Sequence, residues 1–189
     1  MANIVTPSYG VGTLLEHFET QRGVGPRSIA VVGSSGTLLY RGYGRYIDEH
    51  DVVVRVNGAV TQGYENDCGR DRKQIVVGFR TGLDEARHSG LLCCGAFAVV
   101  TAPAGGKEAE VKDASNELHR LHYPSVAVST PFMKGVHASL NWAEHWPSTG
   151  FHAIAVAVAV AQHYGARVSV FGFGKCVPCN KYFDCDGSS

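Results

Sequence analysis

The chain has 189 residues, of which 44% are hydrophobic and 18% are charged, and its 17 basic and 17 acidic side chains leave no formal net charge with histidine neutral. The apolar fraction is enough for one buried core, and the charged fraction is too low for a disordered chain. The balanced charge excludes a nucleic-acid binder that depends on bulk positive charge. We therefore expect one globular domain with no nucleic acid as a partner.

Residues 1–27 come first along the chain, and we interpret them as a lead segment before a domain at residues 28–189. The segment has no continuous apolar core and contains Glu16, Glu19, Arg22 and Arg27, so it does not resemble a signal peptide. The apolar runs elsewhere fall short of the roughly 18 to 20 residues that a membrane span requires. We expect no membrane span in the chain as given.

Short β-branched runs then alternate with longer segments of helical character. The predicted strands are Ser28–Val32, Val52–Asn57, Gln74–Gly78, Phe97–Thr101, Val126–Ser129 and Arg167–Phe171. The predicted helices are Asp84–Leu92, Lys107–His122, Val136–His145 and Phe151–Tyr164. This alternation predicts a single Rossmann-like α/β domain, with a mostly parallel sheet and helices on both faces.

A glycine and serine loop, Gly33-Ser-Ser-Gly36, follows the first predicted strand. Small residues there let backbone N–H groups approach a phosphate, although similar loops occur in α/β proteins that bind no nucleotide. No lysine lies between Gly33 and Gly44, which excludes a Walker-type loop. The dinucleotide fingerprint needs GxGxxG spacing and an acid at the end of the second strand, where this chain has Asn57. An NAD-dependent oxidoreductase with an atypical loop therefore remains an alternative.

Two further features precede or follow the long apolar segment Phe151–Tyr164. Ser148 and Thr149 stand where N-caps stand, and Gly165 supplies a stop, so we predict a helix even though alternating Ala and Val would also suit a strand. The helix start is either an anion site or a plain cap. The last strand ends in Gly172-Phe-Gly174, at the sheet edge where ligands gather.

Three stretches resemble the motifs of eukaryotic sialyltransferases, glycosyltransferase family 29. Residues 29–71, IAVVGSSGTLLYRGYGRYIDEHDVVVRVNGAVTQGYENDCGRD, resemble the large sialylmotif. Residues 147–174, PSTGFHAIAVAVAVAQHYGARVSVFGFG, resemble the small sialylmotif, and Lys181-Tyr-Phe-Asp184 resembles the short third motif. The order and spacing of the three stretches agree with the family.

The resemblance implies a variant GT-A fold and the inverting transfer of sialic acid, or a related keto-sugar, from a CMP donor to a glycan hydroxyl. It implies no metal and no cofactor besides the CMP-sialic acid donor, a glycan acceptor as the other partner, and a location in the Golgi lumen. The residues that match donor-binding positions of the family are Ser34, Ser35, Asn57, Ser148, Thr149, Gly150, Gly172, Phe173 and Lys181.

Several positions depart from the family pattern and indicate a distant member. Ser34 stands where the family usually has asparagine, and Ile29 occupies the place of a cysteine that bridges the two motifs in animal members. Lys181 replaces the histidine that opens the third motif. A lysine can still neutralise a phosphate as a point charge.

The resemblance assigns no catalytic residue in this chain. The family's general base is a histidine in a motif downstream of the third one, and no such motif precedes Ser189, so we expect a C-terminally truncated member. His137 followed by Glu144 is similar to that motif but precedes the small sialylmotif. A non-catalytic remnant that binds a CMP-sugar is a second alternative.

The cysteines near the end, Cys176, Cys179 and Cys185, offer one ligand too few for a structural zinc site. The resemblance implies a lumenal glycosyltransferase, and for such a protein we favour structural disulfides over a metal. The triplet Asp184-Cys-Asp186 imitates a metal-binding Asp-x-Asp, and we interpret it as coincidental.

Overall fold

Six strands make up one parallel sheet in the computed structural model, which describes residues 11–22, 25–70, 74–92, 96–101, 108–128, 130–139, 147–174 and 181–184. The strands are β1 (Ser28–Val32), β2 (Val52–Val56), β3 (Gln74–Gly78), β4 (Phe97–Val100), β5 (Ser125–Ala127) and β6 (Arg167–Phe171). Their order is β5-β4-β3-β2-β1-β6, and all five pairings between these strands are parallel. The predicted α/β fold is confirmed.

Helices connect and cover the strands. Among the described residues they are α1 (Val11–Arg22), α2 (Gly44–Asp48), α3 (Glu65–Cys68), α4 (Arg80–His88), α5 (Glu108–Arg120), α6 (Thr130–Ser139) and α7 (Thr149–Tyr164). Helix α4 begins four residues before the predicted start at Asp84. Helix α6 begins well before the predicted start at Val136, with Pro131 in its first turn, where a missing N–H costs nothing. Part of that predicted helix, residues 140–145, lies outside the described residues.

One face of the sheet is covered by α7 and α1. Alternate strand residues such as Ile29, Val31 and Val54 point to this face and are fully buried, because successive side chains of a strand point to opposite sides. The buried positions of α7 are mostly alanine and valine. These small side chains let the helix pack closely on the sheet.

The other face is covered by two neighbouring groups of elements. Val76, Ala98 and Val100 pack with residues of α4 and α5. Farther along the sheet, Ala30 and Val32 pack with residues that include Leu38, Ile47 and Tyr182. Helices therefore lie on both faces, as the sequence predicts.

Helix α7 has a defined start and end. The Ser148 hydroxyl oxygen accepts a hydrogen bond from the Phe151 N–H at 3.3 Å. Gly165 ends the helix in the left-handed conformation, with a φ of 67°, which favours glycine. The segment is therefore a helix rather than a strand.

Within the described part of the chain, no helix combines the length and the hydrophobicity that crossing a membrane requires.

Helix α1 lies within the predicted lead segment and packs against α7. Leu14 and Phe18 are buried in the core, and the Tyr164 hydroxyl donates a hydrogen bond to the Leu15 carbonyl at 3.2 Å. The sequence analysis did not predict this helix. The division between residues 1–27 and residues 28–189 stays a prediction.

Asp51 ties β1 to β2 at the amino edge of the sheet. Its carboxylate accepts hydrogen bonds from the N–H groups of Arg27 at 2.8 Å and Ser28 at 3.1 Å, and the Ser28 hydroxyl accepts one from the Asp51 N–H at 3.0 Å. Burial by itself would raise the pKa of Asp51, but these hydrogen bonds and the nearby Arg27 charge lower it below its ordinary value. The contact fixes the register of the two strands at the edge opposite the predicted site.

Candidate functional site

The candidate site lies where the order of the strands reverses. Strands β2 to β5 follow one another on one side of β1, and β6 lies on its other side. Ligands of open α/β sheets bind outside the carboxyl ends of the strands at such a point. The loops that leave β1 and β6 meet there, since the Gly33 N–H bonds the Phe171 carbonyl at 2.8 Å and the Ser35 N–H bonds the Gly172 carbonyl at 3.0 Å.

The Phe173 ring joins the loop after β1 to the start of α7. A Cβ atom placed on Gly33 would lie 2.4 Å from the Gly172 carbonyl oxygen and 3.0 Å from the ring, and one on Gly150 would lie 2.8 Å from the ring. Neither position has room for a side chain without displacing its neighbours. The structure therefore brings together four residues from two distant motifs, Gly33, Gly150, Gly172 and Phe173.

A cavity of about 280 Å³ begins at Ser34, the residue after Gly33, but Gly150, Gly172 and Phe173 are not among its lining residues. Ser34, Asn57 and Lys181 line it, so it unites predicted residues from the first and the third of the family-like stretches. Its volume is close to the lower end of the range for small-molecule sites. The other lining residues are Val56, Gly58, Ala59, Glu85 and Phe183.

Asn57 enters this cavity from a turn. Strand β2 ends at Val56, one residue earlier than predicted, because Asn57 has a φ of 54°. Asparagine tolerates this left-handed conformation better than most residues. The Asn57 N–H bonds the Val77 carbonyl at 3.0 Å, which anchors the turn to β3.

Lys181 is held against the first loop by backbone pairing. It forms an antiparallel bridge with Ser35, and the Tyr182 N–H bonds the Ser34 carbonyl at 2.9 Å. The Lys181 ammonium lies 5.2 Å from the centre of the Phe183 ring. Tyr182 is fully buried, and its hydroxyl donates to the Val60 carbonyl. This segment therefore places the positively charged Lys181 side chain in the wall of the cavity.

Ser34 and Ser35 have different environments despite being neighbours. Ser35 is buried, and its hydroxyl donates to the Gly174 carbonyl at 2.9 Å and accepts from the Thr37 N–H at 3.2 Å. Its hydroxyl is thus used to hold the loop to the segment after β6. Ser34 is half-buried and lines the cavity.

Ser148 and Thr149 lie at the start of α7, next to Gly150 and its contact with Phe173. Ser148 is the N-cap, so the predicted cap is present. The first N–H groups of a helix carry partial positive charge and point out of its start. This arrangement can attract an anion to the side of the site that holds Phe173.

The sequence analysis missed Glu85 and Phe183. Glu85 reaches the cavity because α4 packs closely on the turn after β2, where a Cβ atom on Gly58 would lie 2.5 Å from the Glu85 Cβ atom. Phe183 lines the cavity because residues 181–184 are anchored to the loop after β1. Glu85 could have been found from the helix that begins directly after β3. The first turns of such a helix must lie at the carboxyl edge of the sheet.

A larger groove of about 800 Å³ contains none of the predicted site residues. Three of its charged side chains bond within the protein: Arg45 Nε lies 3.0 Å from a Glu49 carboxylate oxygen, and Asp48 Oδ1 accepts from the Arg70 N–H at 2.8 Å. We therefore place the candidate site at the smaller cavity.

Within the described ranges, no cluster of three or more His, Cys, Asp or Glu residues is placed to hold a metal ion. Cys176, Cys179, Cys185 and Asp186 lie outside those ranges. The predictions about them stay predictions.

We expect Ser35→Ala to lower the free energy of unfolding by about 1–2 kcal/mol, because the Thr37 N–H loses its acceptor and the Gly174 carbonyl loses its donor. Urea unfolding followed by circular dichroism measures this change. Ser34→Ala is the matched control and should stay within about 0.5 kcal/mol of the unsubstituted chain. Equal losses in the two variants would contradict the assigned difference between the serines.

Comparison with known proteins gives one consistent result. Residues 11–85 match the model of "Glycosyltransferase family 29 (sialyltransferase)". Over 168 residues the chain is 33% identical to a chicken (Gallus gallus) CMP-N-acetylneuraminate-beta-galactosamide-alpha-2,3-sialyltransferase 1, covering 78% of this chain and 44% of the relative. It is 28% identical over 184 residues to a sialyltransferase-like protein 1 of rice (Oryza sativa subsp. japonica), covering 82% of this chain and 46% of the relative. The chain thus spans less than half the length of these relatives.

Two solved structures share the fold. One is a mammalian sialyltransferase in complex with Gal-beta-1-3GalNAc-ortho-nitrophenol, with a TM-score of 0.55, 24% identity, and coverage of 82% of this chain and 58% of that chain. The other is a mammalian sialyltransferase with a TM-score of 0.56 and 21% identity, covering 97% of this chain and 72% of that chain. The Rossmann-like sheet of this chain therefore has the same fold as the corresponding part of these two solved structures.

Proposed function

Since this chain belongs to glycosyltransferase family 29, the sialyltransferases, we propose that it binds CMP-sialic acid, or the CMP conjugate of a related keto-sugar, at the carboxyl edge of its sheet. The domain at residues 28–189 is the nucleotide-sugar-binding domain in this proposal. The names of the curated relatives support the donor, because they specify CMP-N-acetylneuraminate. The second substrate is a glycan hydroxyl, and the place of action is the Golgi lumen.

The observation that carries the proposal is the shared cavity of Ser34, Asn57 and Lys181. A hydroxyl, a carboxamide and an ammonium group can all donate hydrogen bonds to a phosphate. Each charge-assisted bond contributes about 1.5–3 kcal/mol. Ser35 acts indirectly in this arrangement, because its hydroxyl holds the loop that carries Ser34.

The cytidine lies on the side of Phe173 in our proposal. The Phe173 side chain is 37% exposed, so part of its ring can contact a base while the rest packs on Gly33 and Gly150. Gly172 provides backbone groups without a side chain. The N–H groups and hydroxyls at Ser148 and Thr149 offer donors next to the nucleotide.

The proposed reaction is a displacement with inversion. The acceptor oxygen forms a bond to the anomeric carbon of the keto-sugar and gives its proton to a general base, a role to which this proposal assigns no residue of the chain, while the bond from that carbon to the phosphate oxygen of CMP breaks. Lys181 and the start of α7 stabilise the negative charge that develops on the departing CMP, the task that a metal performs in many other glycosyltransferases. We propose that the reaction proceeds without a metal.

We expect CMP to bind the unsubstituted chain and Asn57→Ala to weaken that binding at least tenfold, because the variant loses one charge-assisted donor. Isothermal titration calorimetry measures both affinities. Asn66→Ala is the matched control, since Asn66 lines the larger groove and should leave the affinity for CMP unchanged.

Titration with NAD separates the proposal from the oxidoreductase alternative. Tighter binding of NAD than of CMP would refute the sialyltransferase function. The release of CMP from CMP-sialic acid in the presence of a galactose-terminated acceptor separates an enzyme from a remnant that only binds the donor. Donor binding without any turnover would favour the remnant.

A further inference from the structure

The backbone of the turn after β2, which carries Asn57, is held in place by neighbouring elements. The Asn57 backbone has a φ of 54°, and its N–H bonds the Val77 carbonyl at 3.0 Å. Helix α4 packs against the same turn through Gly58 and Glu85. The backbone of the turn is therefore fixed from two sides, and only the carboxamide can rotate.

Two glycines provide the space that this carboxamide occupies. A Cβ atom on Gly82 would lie 2.2 Å from Asn57 Oδ1, 2.6 Å from its Cγ and 2.8 Å from its Cβ. A Cβ atom on Gly78 would lie 3.0 Å from Leu83 Cγ and 3.3 Å from the same Oδ1 atom. Real Cβ atoms do not approach neighbours as closely as the Gly82 position requires. Gly78 and Gly82 therefore form a seat for the Asn57 side chain.

Gly82 lies inside α4, where glycine is the least favourable residue after proline. If helix propensity alone mattered, alanine at residue 82 would stabilise α4. Glycine at this position is explained by the contact with Asn57 rather than by the helix. The contact joins Gly82 in α4 to Asn57 in the turn after β2. Of these two residues, only Asn57 belongs to the proposed donor site.

We propose that Gly82, together with Gly78, is a positioning residue that holds Asn57 Oδ1 against α4 and leaves the Asn57 Nδ2 group to donate a hydrogen bond to the phosphate of the donor. The proposal rests on the proposed function, because it assumes that the cavity binds CMP. A side chain at residue 82 pushes the carboxamide out of its seat, and the cavity that Asn57 lines is the space beside it. Such a substitution moves the Asn57 Nδ2 group away from its position and also narrows the cavity.

The test is Gly82→Ala, alone and combined with Asn57→Gly. We expect Gly82→Ala to weaken CMP binding at least tenfold in calorimetry while the chain stays folded. In the Asn57→Gly background the same change should leave the residual CMP affinity unaltered and raise the thermal midpoint by about 2–4 °C, the usual gain of a better helix residue in a chain of this size.

Gly135→Ala is the matched control, because Gly135 is also helical and, apart from its chain neighbours and the backbone of its own helix, no atom lies within 4 Å of an added Cβ. It should leave the affinity for CMP unchanged. A spectroscopic readout needs no ligand: the Asn57 side-chain amide signal in a ¹⁵N NMR spectrum, identified by its loss in Asn57→Gly, should shift in Gly82→Ala and stay in place in Gly135→Ala.

The outcomes separate this inference from the proposed function. Unchanged CMP affinity in Gly82→Ala, with a tenfold loss in Asn57→Ala, would overturn the seat and leave the proposed function intact. Failure of the unsubstituted chain to bind CMP would refute both. If Gly82→Ala does not fold, folding of the double variant would support a steric conflict with Asn57, and failure of the double variant would overturn it.

Discussion

We expect Arg55→Met to lower the free energy of unfolding by about 3–5 kcal/mol, which is a large part of the stability of an ordinary domain. Arg55 is fully buried in β2. Its guanidinium donates from Nη1 to the Cys68 carbonyl and from Nη2 to the Arg70 carbonyl, both at 3.0 Å. Methionine has a similar volume but no donor, so the end of α3 loses two charge-assisted bonds. Urea unfolding measures the loss.

Two variants complete this experiment. Arg45→Met is the matched control, because the Arg45 side chain is 88% exposed and exposed ion pairs contribute little. Arg55→Lys keeps the charge but not the planar fork that reaches two carbonyls at once, so it should retain only part of the stability. A loss below about 0.5 kcal/mol in Arg55→Met would contradict the role assigned to the guanidinium.

The second large effect is a loss of stability in acid that depends on His152. This histidine lies in the first turn of α7 and is 1% exposed, and burial lowers its pKa from the ordinary value of 6.5 to about 4. Between these two values the unfolded chain binds a proton at His152 that the folded chain does not. The contribution of His152 is therefore complete above about pH 6.5, and it is lost as the pH falls towards 4. The expected loss is about 3 kcal/mol.

Comparison of variants isolates this contribution from the other acid-titrating groups. We expect the difference in unfolding free energy between pH 7 and pH 4 to shrink by about 3 kcal/mol in His152→Leu. His88→Gln is the control, since His88 is exposed on α4 and should keep the full difference. Denaturant titrations across that pH range provide the values. An unchanged pH dependence in His152→Leu would show that His152 is protonated in the folded chain.

Several features could be predicted from the sequence because neighbouring residues determine them. Runs of β-branched residues identified the six strands, and the Ser148 cap with the Gly165 stop identified α7. The glycine and serine loop at Gly33 also follows from local chemistry, since small residues after a strand permit close backbone approach. These signals depend on the chain within a few residues of each position.

Local signals were insufficient for the helices that the analysis missed or displaced. Helix α1 has a weak apolar pattern, and it is fixed by the burial of Leu14 and Phe18 against α7. Helices α2 and α3 are five and four residues long, too short for a periodic pattern to develop. Tertiary packing supplies the stabilisation that their own sequences lack.

The composition of the site depended on contacts between residues far apart in the chain. Ser34 and Ser35 are the same residue type in adjacent positions, yet the path of the segments after β6 turns one hydroxyl to the Gly174 carbonyl while the other residue lines the cavity. Glu85 joins the cavity only because α4 packs on Gly58. The sequence by itself therefore determined the strands of the sheet, helices α5 and α7, and the glycine and serine loop after β1. Only the tertiary structure decided which side chains line the cavity, because that choice depends on which distant backbone passes within hydrogen-bonding or van der Waals distance.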